Sequence, residues 1–171
     1  LWEFLDSLHP HLWRTGREFP DSAEVMMDLF GDGLLDIALS FNPNDASQRI
    51  IDGRFASSVR TYVHDGGTIG NTHFLAIPFN TSARAGALVW INLLLSAEAQ
   101  ADKASPSVWG DPTVIDVMRL SEEDRVLFES VDLGLATLTS DALGMPLPEP
   151  HASWVEPLEV AWKARYFGQT R

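Results

Sequence analysis

The sequence predicts an α/β domain: a helix-rich layered fold with a small mixed sheet. Three observations carry that expectation. Segments with apolar residues at helical spacing outnumber period-two segments by about two to one. The two kinds interleave along the chain. One segment, Ser82 to Leu95, is apolar nearly all round, which suits the inside of a layered fold better than its surface.

Taken in order, Leu1, Leu5, Leu8 and Leu12 fall close to one helical face, and Pro10 bends or ends that helix. Pro20-Asp21-Ser22-Ala23-Glu24 supplies a start signal for the next, with Asp21 as N-cap and Glu24 three places on. Val25, Met26, Leu29 and Phe30 form its apolar side, and Gly31 and Gly33 end it. The period then switches to two: Leu35, Ile37, Leu39 and Phe41 share one face of an expected strand over 34–41. Asn42-Pro43-Asn44-Asp45 turns into a short helix capped by Asp45 and closed by Gly53. Two more strands are expected at Val59 to His64 and His73 to Phe79.

Ala83, Ala85, Gly86 and Ala87 crowd the first turns of the apolar helix, leaving room for a close backbone neighbour. Ser96 to Ala104 continues as a more polar helix, and Ser121-Glu122-Glu123-Asp124 is a capping signature for another. The proline run from Met145 to Pro150 is extended by necessity, and a last helix spans about Ser153 to Phe167.

Composition excludes several function classes. The chain has 171 residues, 45% of them hydrophobic and 10% aromatic, enough for one domain with a core. Acidic residues number 24 against 12 basic ones, a net charge of −12, which argues against nucleic acid or an anionic membrane as the main partner. There is no apolar run long enough to span a bilayer, so no membrane insertion is expected. Without cysteine there is no disulfide, thiolate site or thiol nucleophile. The opening Leu1-Trp2-Glu3-Phe4 reads like the interior of a protein entered at a helix, so the expectation is a fragment over 1–171.

Motifs of catalysis are missing. His9-Pro10-His11 is the one histidine cluster, and it lacks the third ligand a metal needs. Gly66-Gly67-Thr68-Ile69-Gly70-Asn71 is glycine-rich but has neither the lysine of a phosphate loop nor a helix directly after it. Asp32 and Asp36 flank a glycine turn, and Glu122 to Asp124 complement a helix dipole. No nucleophile elbow occurs, so no catalytic residue, metal or cofactor is expected. Two stretches have the chemistry of binding instead. Phe41-Asn42-Pro43-Asn44 lies where a strand ends, the place where open α/β sheets collect ligands. Gly70-Asn71-Thr72-His73 gathers amide, hydroxyl and imidazole groups.

The run Thr72-His73-Phe74-Leu75-Ala76-Ile77-Pro78-Phe79-Asn80, followed by Ala83 to Gln100, resembles the C-terminal half of extracellular solute-binding proteins of ABC importers. In that family an Ile-Pro strand end leads into an alanine-rich helix; here Leu93 stands for the usual Phe and Ala97 for the usual Pro. Gly67 to His73 and Trp109-Gly110-Asp111 resemble the YnjB-like group within it. The resemblance implies a type II periplasmic-binding-protein architecture, two lobes closing over a small-molecule solute that is handed to ABC permease subunits, in the periplasm or outside the cell. It further implies chain crossovers between lobes at 63–72 and 104–116. Phe41, Asn42, Asn44, Asn71, Thr72 and Trp109 are then the expected ligand-binding residues, with Gly66, Gly67 and Gly70 as hinge positions. The apolar helix, uncovered in a fragment, predicts self-association. An interaction domain without a small-molecule ligand and an enzyme on a related scaffold are the two rival readings.

Overall fold

The computed structural model describes residues 1–70 and 72–167 and divides into two compact units, one of 1–39 with 148–171 and one of 40–147. Its elements are helical: α1 (Trp2–Leu8), α2 (Ala23–Gly31), α3 (Asp45–Ile51), α4 (Arg84–Leu94), α5 (Ala97–Ala104), α6 (Glu122–Glu129), α7 (Ser140–Leu143) and α8 (Val155–Trp162), with short 3-10 turns between them. No β-strand is present among the described residues; the one trace of pairing is an isolated parallel bridge between Ile69 and Leu147.

This overturns the expected α/β class, its small mixed sheet and the two-lobed periplasmic-binding-protein architecture. The physical reason lies in what a strand requires. Alternation of apolar residues describes a face to be buried, whereas a strand exists only when its backbone N–H and C=O groups meet a neighbour's. Residues 37–40, 59–64 and 72–78 carry the alternation but form no ladder. Leu39, Tyr62 and Phe74 are exposed accordingly.

The helix-start signals were more durable, with corrections of detail. Ser22, not Asp21, caps α2, its hydroxyl accepting from the Val25 N–H at 3.2 Å. Ser121 caps α6 through the Asp124 N–H, and Ser96 caps α5 through Ala99. Asn44 is the N-cap residue of α3; the Asp45 carboxylate instead receives the Ser40 hydroxyl at 2.9 Å and the Arg49 guanidinium at 2.8 Å. The C-terminal helix is composite: a 3-10 turn at Ala152–Trp154, α8, and a π turn at Lys163–Phe167.

Helix α4 stands against the expectation that it is an internal beam. None of its residues is buried, and Val89 is 72% exposed. An open cleft of about 590 Å3 lies beside it, between Val89, Asn92 and Leu93 of α4, the capping Ser96, and Ala99 and Asp102 of α5.

Burial is concentrated elsewhere. In the unit of 1–39 with 148–171, Met27 and His9 are buried, and Phe19 packs against Trp162 and Phe167 with ring centroids 5.0 and 5.9 Å apart. In the unit of 40–147 the interior is small and partly polar: Asn44, Ser47, Gln100, Ala101, Ala104, Pro106 and Ala136, with Phe55 the one buried aromatic among the described residues. Hydrogen bonds hold it. The Ser47 hydroxyl accepts from the Ala136 N–H at 3.0 Å and meets the Thr137 hydroxyl at 2.8 Å. Gln100 donates to the Leu94 carbonyl and accepts from the Thr113 hydroxyl, both at 2.8 Å.

Candidate functional site

The turn that follows α5 is built by its own backbone. The N–H groups of Val108, Trp109 and Gly110 all converge on the Ser105 carbonyl, and Asp111 N–H returns to the Lys103 carbonyl at 2.9 Å. Gly110 holds φ +75°, where a side chain is strained, and a Cβ there would lie 3.1 Å from that of Asn44. Asn44, 2% exposed, closes this contact by donating its side-chain amide to the Gly110 carbonyl. Its own backbone N–H is held by the Asn42 side-chain oxygen at 2.9 Å. Thus α3 and the 105–112 turn are locked together by an amide pair from the 42–44 stretch.

On that frame the Asp111 carboxylate collects two nitrogen partners on one oxygen. Lys103 Nζ donates to Oδ2 at 2.7 Å and also to the Pro112 carbonyl at 2.7 Å. His73 Nδ1 lies 3.0 Å from the same Oδ2. The His73 ring is parallel to the Trp109 indole, 5.9 Å between centroids and 14° between planes, and Lys103 Nζ sits 5.6 Å from the indole centre. Lys103 and Asp111 are largely covered, while the imidazole and the indole are open to solvent. The Asn44 Oδ1 is buried without a hydrogen-bond partner.

Of the residues singled out from sequence, Asn42, Asn44 and Trp109 come together here, and His73 joins them. Phe41 is fully exposed beside them, its ring touching none of the bonds above. Thr72 is exposed next to His73, and Asn71 lies outside the described residues. Lys103 was missed in the sequence, and Asp111 was noted only as part of its tripeptide; a lysine in the last turn of a helix with an acid just beyond the following glycine turn was the signal available. The Gly70 N–H meets the Leu147 carbonyl at 3.2 Å, and the Leu147 N–H meets the Thr68 carbonyl at 2.7 Å.

The corner offers a half-open aromatic platform, an anchored carboxylate and two cationic or hydrogen-bonding groups. Among the described residues no group of three or more His, Cys, Asp or Glu side chains could hold a metal ion, and no helix is long and apolar enough to cross a membrane.

A second polar cluster occupies the other unit. Arg165 and the Tyr166 hydroxyl (2.9 Å) both bond the Asp6 carboxylate. Those hydrogen bonds hold the Asp6 pKa down at about 2, and the carboxylate in turn raises that of Arg165. Desolvation first, then the Asp6 bond, raises that of Tyr166.

Comparison with known proteins gives one informative relative. No family model matches the chain, and no solved structure matches it. Protein YnjB of Escherichia coli (strain K12) is 44% identical over 166 residues, 97% of this chain and 41% of that protein. The chain therefore spans about two fifths of the length of the curated relative it matches, and that protein's name states no activity. Membership of the solute-binding proteins of ABC importers, implied by the run from Thr72 to Gln100, is not upheld: no such family matches, and the helical chain, with no sheet among its described residues, is unlike a periplasmic-binding-protein fold.

Proposed function

We propose that this chain contributes to reversible capture of a small polar solute, without chemical change, at the Asp111 corner. The observation that carries the proposal is the meeting of three stretches distant in sequence, 42–44, 73 and 103–111, around one carboxylate and one open indole. A binding site needs convergent hydrogen bonders and an aromatic wall and has no need of a tuned nucleophile.

Capture itself is tested by titrating the chain, and the longer Protein YnjB in parallel, with a panel of amines, sugars and vitamins while following tryptophan fluorescence. A saturable change that disappears in Trp109→Phe and weakens in Asp111→Asn, with the ligand recovered intact, supports the reading. Silence across the panel, or conversion of the ligand, overturns it. The second reading, an interaction domain without a small ligand, draws on the full exposure of Phe41 and Phe79. It predicts that Trp109→Phe changes nothing while Phe41→Ser abolishes association with a protein partner.

A further inference from the structure

The cleft at the other end of the chain's chemistry is lined by Asp6, His9, Pro10, Thr15, Arg165 and Tyr166 and measures ≈ 500 Å3. All six belong to the unit of 1–39 with 148–171. Within it His9 is 8% exposed, its ring stacked on Tyr166 at 3.7 Å and 11°, with Phe19 edge-on at 5.8 Å. Nδ1 lies 2.6 Å from the Leu5 carbonyl. A carbonyl can only accept, so Nδ1 carries a proton, and in the neutral imidazole Nε2 then presents a bare lone pair. That Nε2 is buried and has no partner. A buried acceptor left empty is costly, and a native structure that keeps one calls for an explanation.

The segment that closes over His9 is held in an unfavourable conformation. Arg14 and Thr15 both adopt left-handed backbone, at φ +49° and +57°, which for a β-branched residue is an outlier. Gly16 follows at φ +66°, and a Cβ there would lie 2.5 Å from the His9 carbonyl oxygen. Strain of this kind persists where surrounding structure imposes it, and it gathers at ligand clamps.

The hydrogen-bonding inventory names the ligand. Asp6 is satisfied by Arg165 and Tyr166, so the charges of the carboxylate and the guanidinium offset each other, and the guanidinium keeps N–H donors to spare. The Tyr166 and Thr15 hydroxyls spend their protons on Asp6 and on the Arg14 carbonyl, and their oxygens remain acceptors. With His9 Nε2 the cleft therefore offers three acceptors, and the balance of charge favours neither anion nor cation. We infer that this cleft binds a neutral, hydroxyl-bearing small molecule of the polyol or monosaccharide class, one hydroxyl of which donates to His9 Nε2. The site is separate from the Asp111 corner and independent of the capture proposed there.

The experiment is a titration of the chain with glycerol, myo-inositol and glucose, against phosphate and acetate as anionic controls, observed through the imidazole 15N resonances of His9. The expected result is an Nδ1–H tautomer in the free protein and a saturable movement of the Nε2 resonance with a polyol but with neither anion. His9→Phe keeps the ring on Tyr166 and removes the lone pair, and it weakens binding at least about tenfold. Should that variant fail to fold, the wild-type Nε2 response alone decides. The inference is overturned if no polyol moves Nε2, if the anions move it equally, or if His9→Phe binds the polyol unchanged.

Discussion

Two parts of the 40–147 unit handle the same backbone problem in opposite ways. Around α3, the turns 105–112 and 134–137 are fixed by single buried polar side chains. Asn44 bonds Gly110, and Ser47 bonds Ala136 and Thr137, across sequence separations of 66, 89 and 90 residues. In 59–64 and 72–78 the pattern is apolar and period two, yet those residues form no ladder and Phe74 is 86% exposed. A hydrogen bond from a side chain specifies its partner alone. An apolar alternation specifies only a face and leaves the partner unnamed. That difference explains why the polar corner is assembled in this chain while the expected sheet is absent from it.

The strongest challenge to that contrast is steric. Gly134 holds φ +77°, and a Cβ there would lie 2.8 Å from the Ser47 Cβ. Gly134→Val forces both left-handed strain and overpacking onto the Ser47 tether, an expected loss of about 2–4 kcal/mol in chemical denaturation. A loss no larger than that of an exposed surface substitution shows that the corner does not hold the unit together. Next in size is Asn44→Ala, which leaves the Gly110 carbonyl without its buried donor and costs about 1–3 kcal/mol by the same measurement. It also frees the turn under Trp109, so the indole emission shifts with it, an effect that Phe74→Ala does not produce.

How much of this was legible follows from the same distinction. Glycine stops and the helical period of α2, α4, α5 and α6 are local chemistry, and they read correctly to within a residue or two, while the caps assigned to α2 and α3 each fell one residue away from the true one. Asn44 and Trp109 were marked for their chemistry, but nothing in the sequence says that an amide at 44 will meet a carbonyl at 110. His9 looked like an ordinary helix-end histidine; the signal of its burial, Tyr166, lies more than 150 residues away. The sheet failed for the reason already given, and the apolar all-round pattern of α4 misled in the same direction, since it records a need for cover rather than the cover itself.

A smaller, pH-dependent effect sharpens the comparison from the other unit. The Asp6 carboxyl sits at about 2 in the folded chain against an ordinary 3.8, because Arg165 and Tyr166 bond its charged form. A depressed acid contributes stability that is present above about pH 3.8 and is lost as pH falls through about 2. The 13C shift of the Asp6 carboxyl checks it directly: the midpoint is expected near 2 in the wild type and back toward the ordinary value in Arg165→Gln. An unchanged midpoint in that variant means that the ion pair, half-exposed on both sides, is not formed in solution.

The smallest stability effect is expected where the sequence looks most like core. Phe41 and Phe79 are fully exposed, at 106% and 103%. Phe41→Ser or Phe79→Ser removes a large apolar ring from water rather than from a packed interior, so the change in denaturation free energy stays within about 0.5 kcal/mol. A loss of 2 kcal/mol or more, of the order seen for a buried ring, shows that the ring is covered in solution, and the contrast between an assembled corner and an uncovered face then falls. If stability holds but solute capture in the fluorescence titration is lost, Phe41 acts on the ligand beside Asn42 and Asn44 rather than on the fold. The two measurements separate, for one side chain, the face that a chain needs to cover from the face it uses.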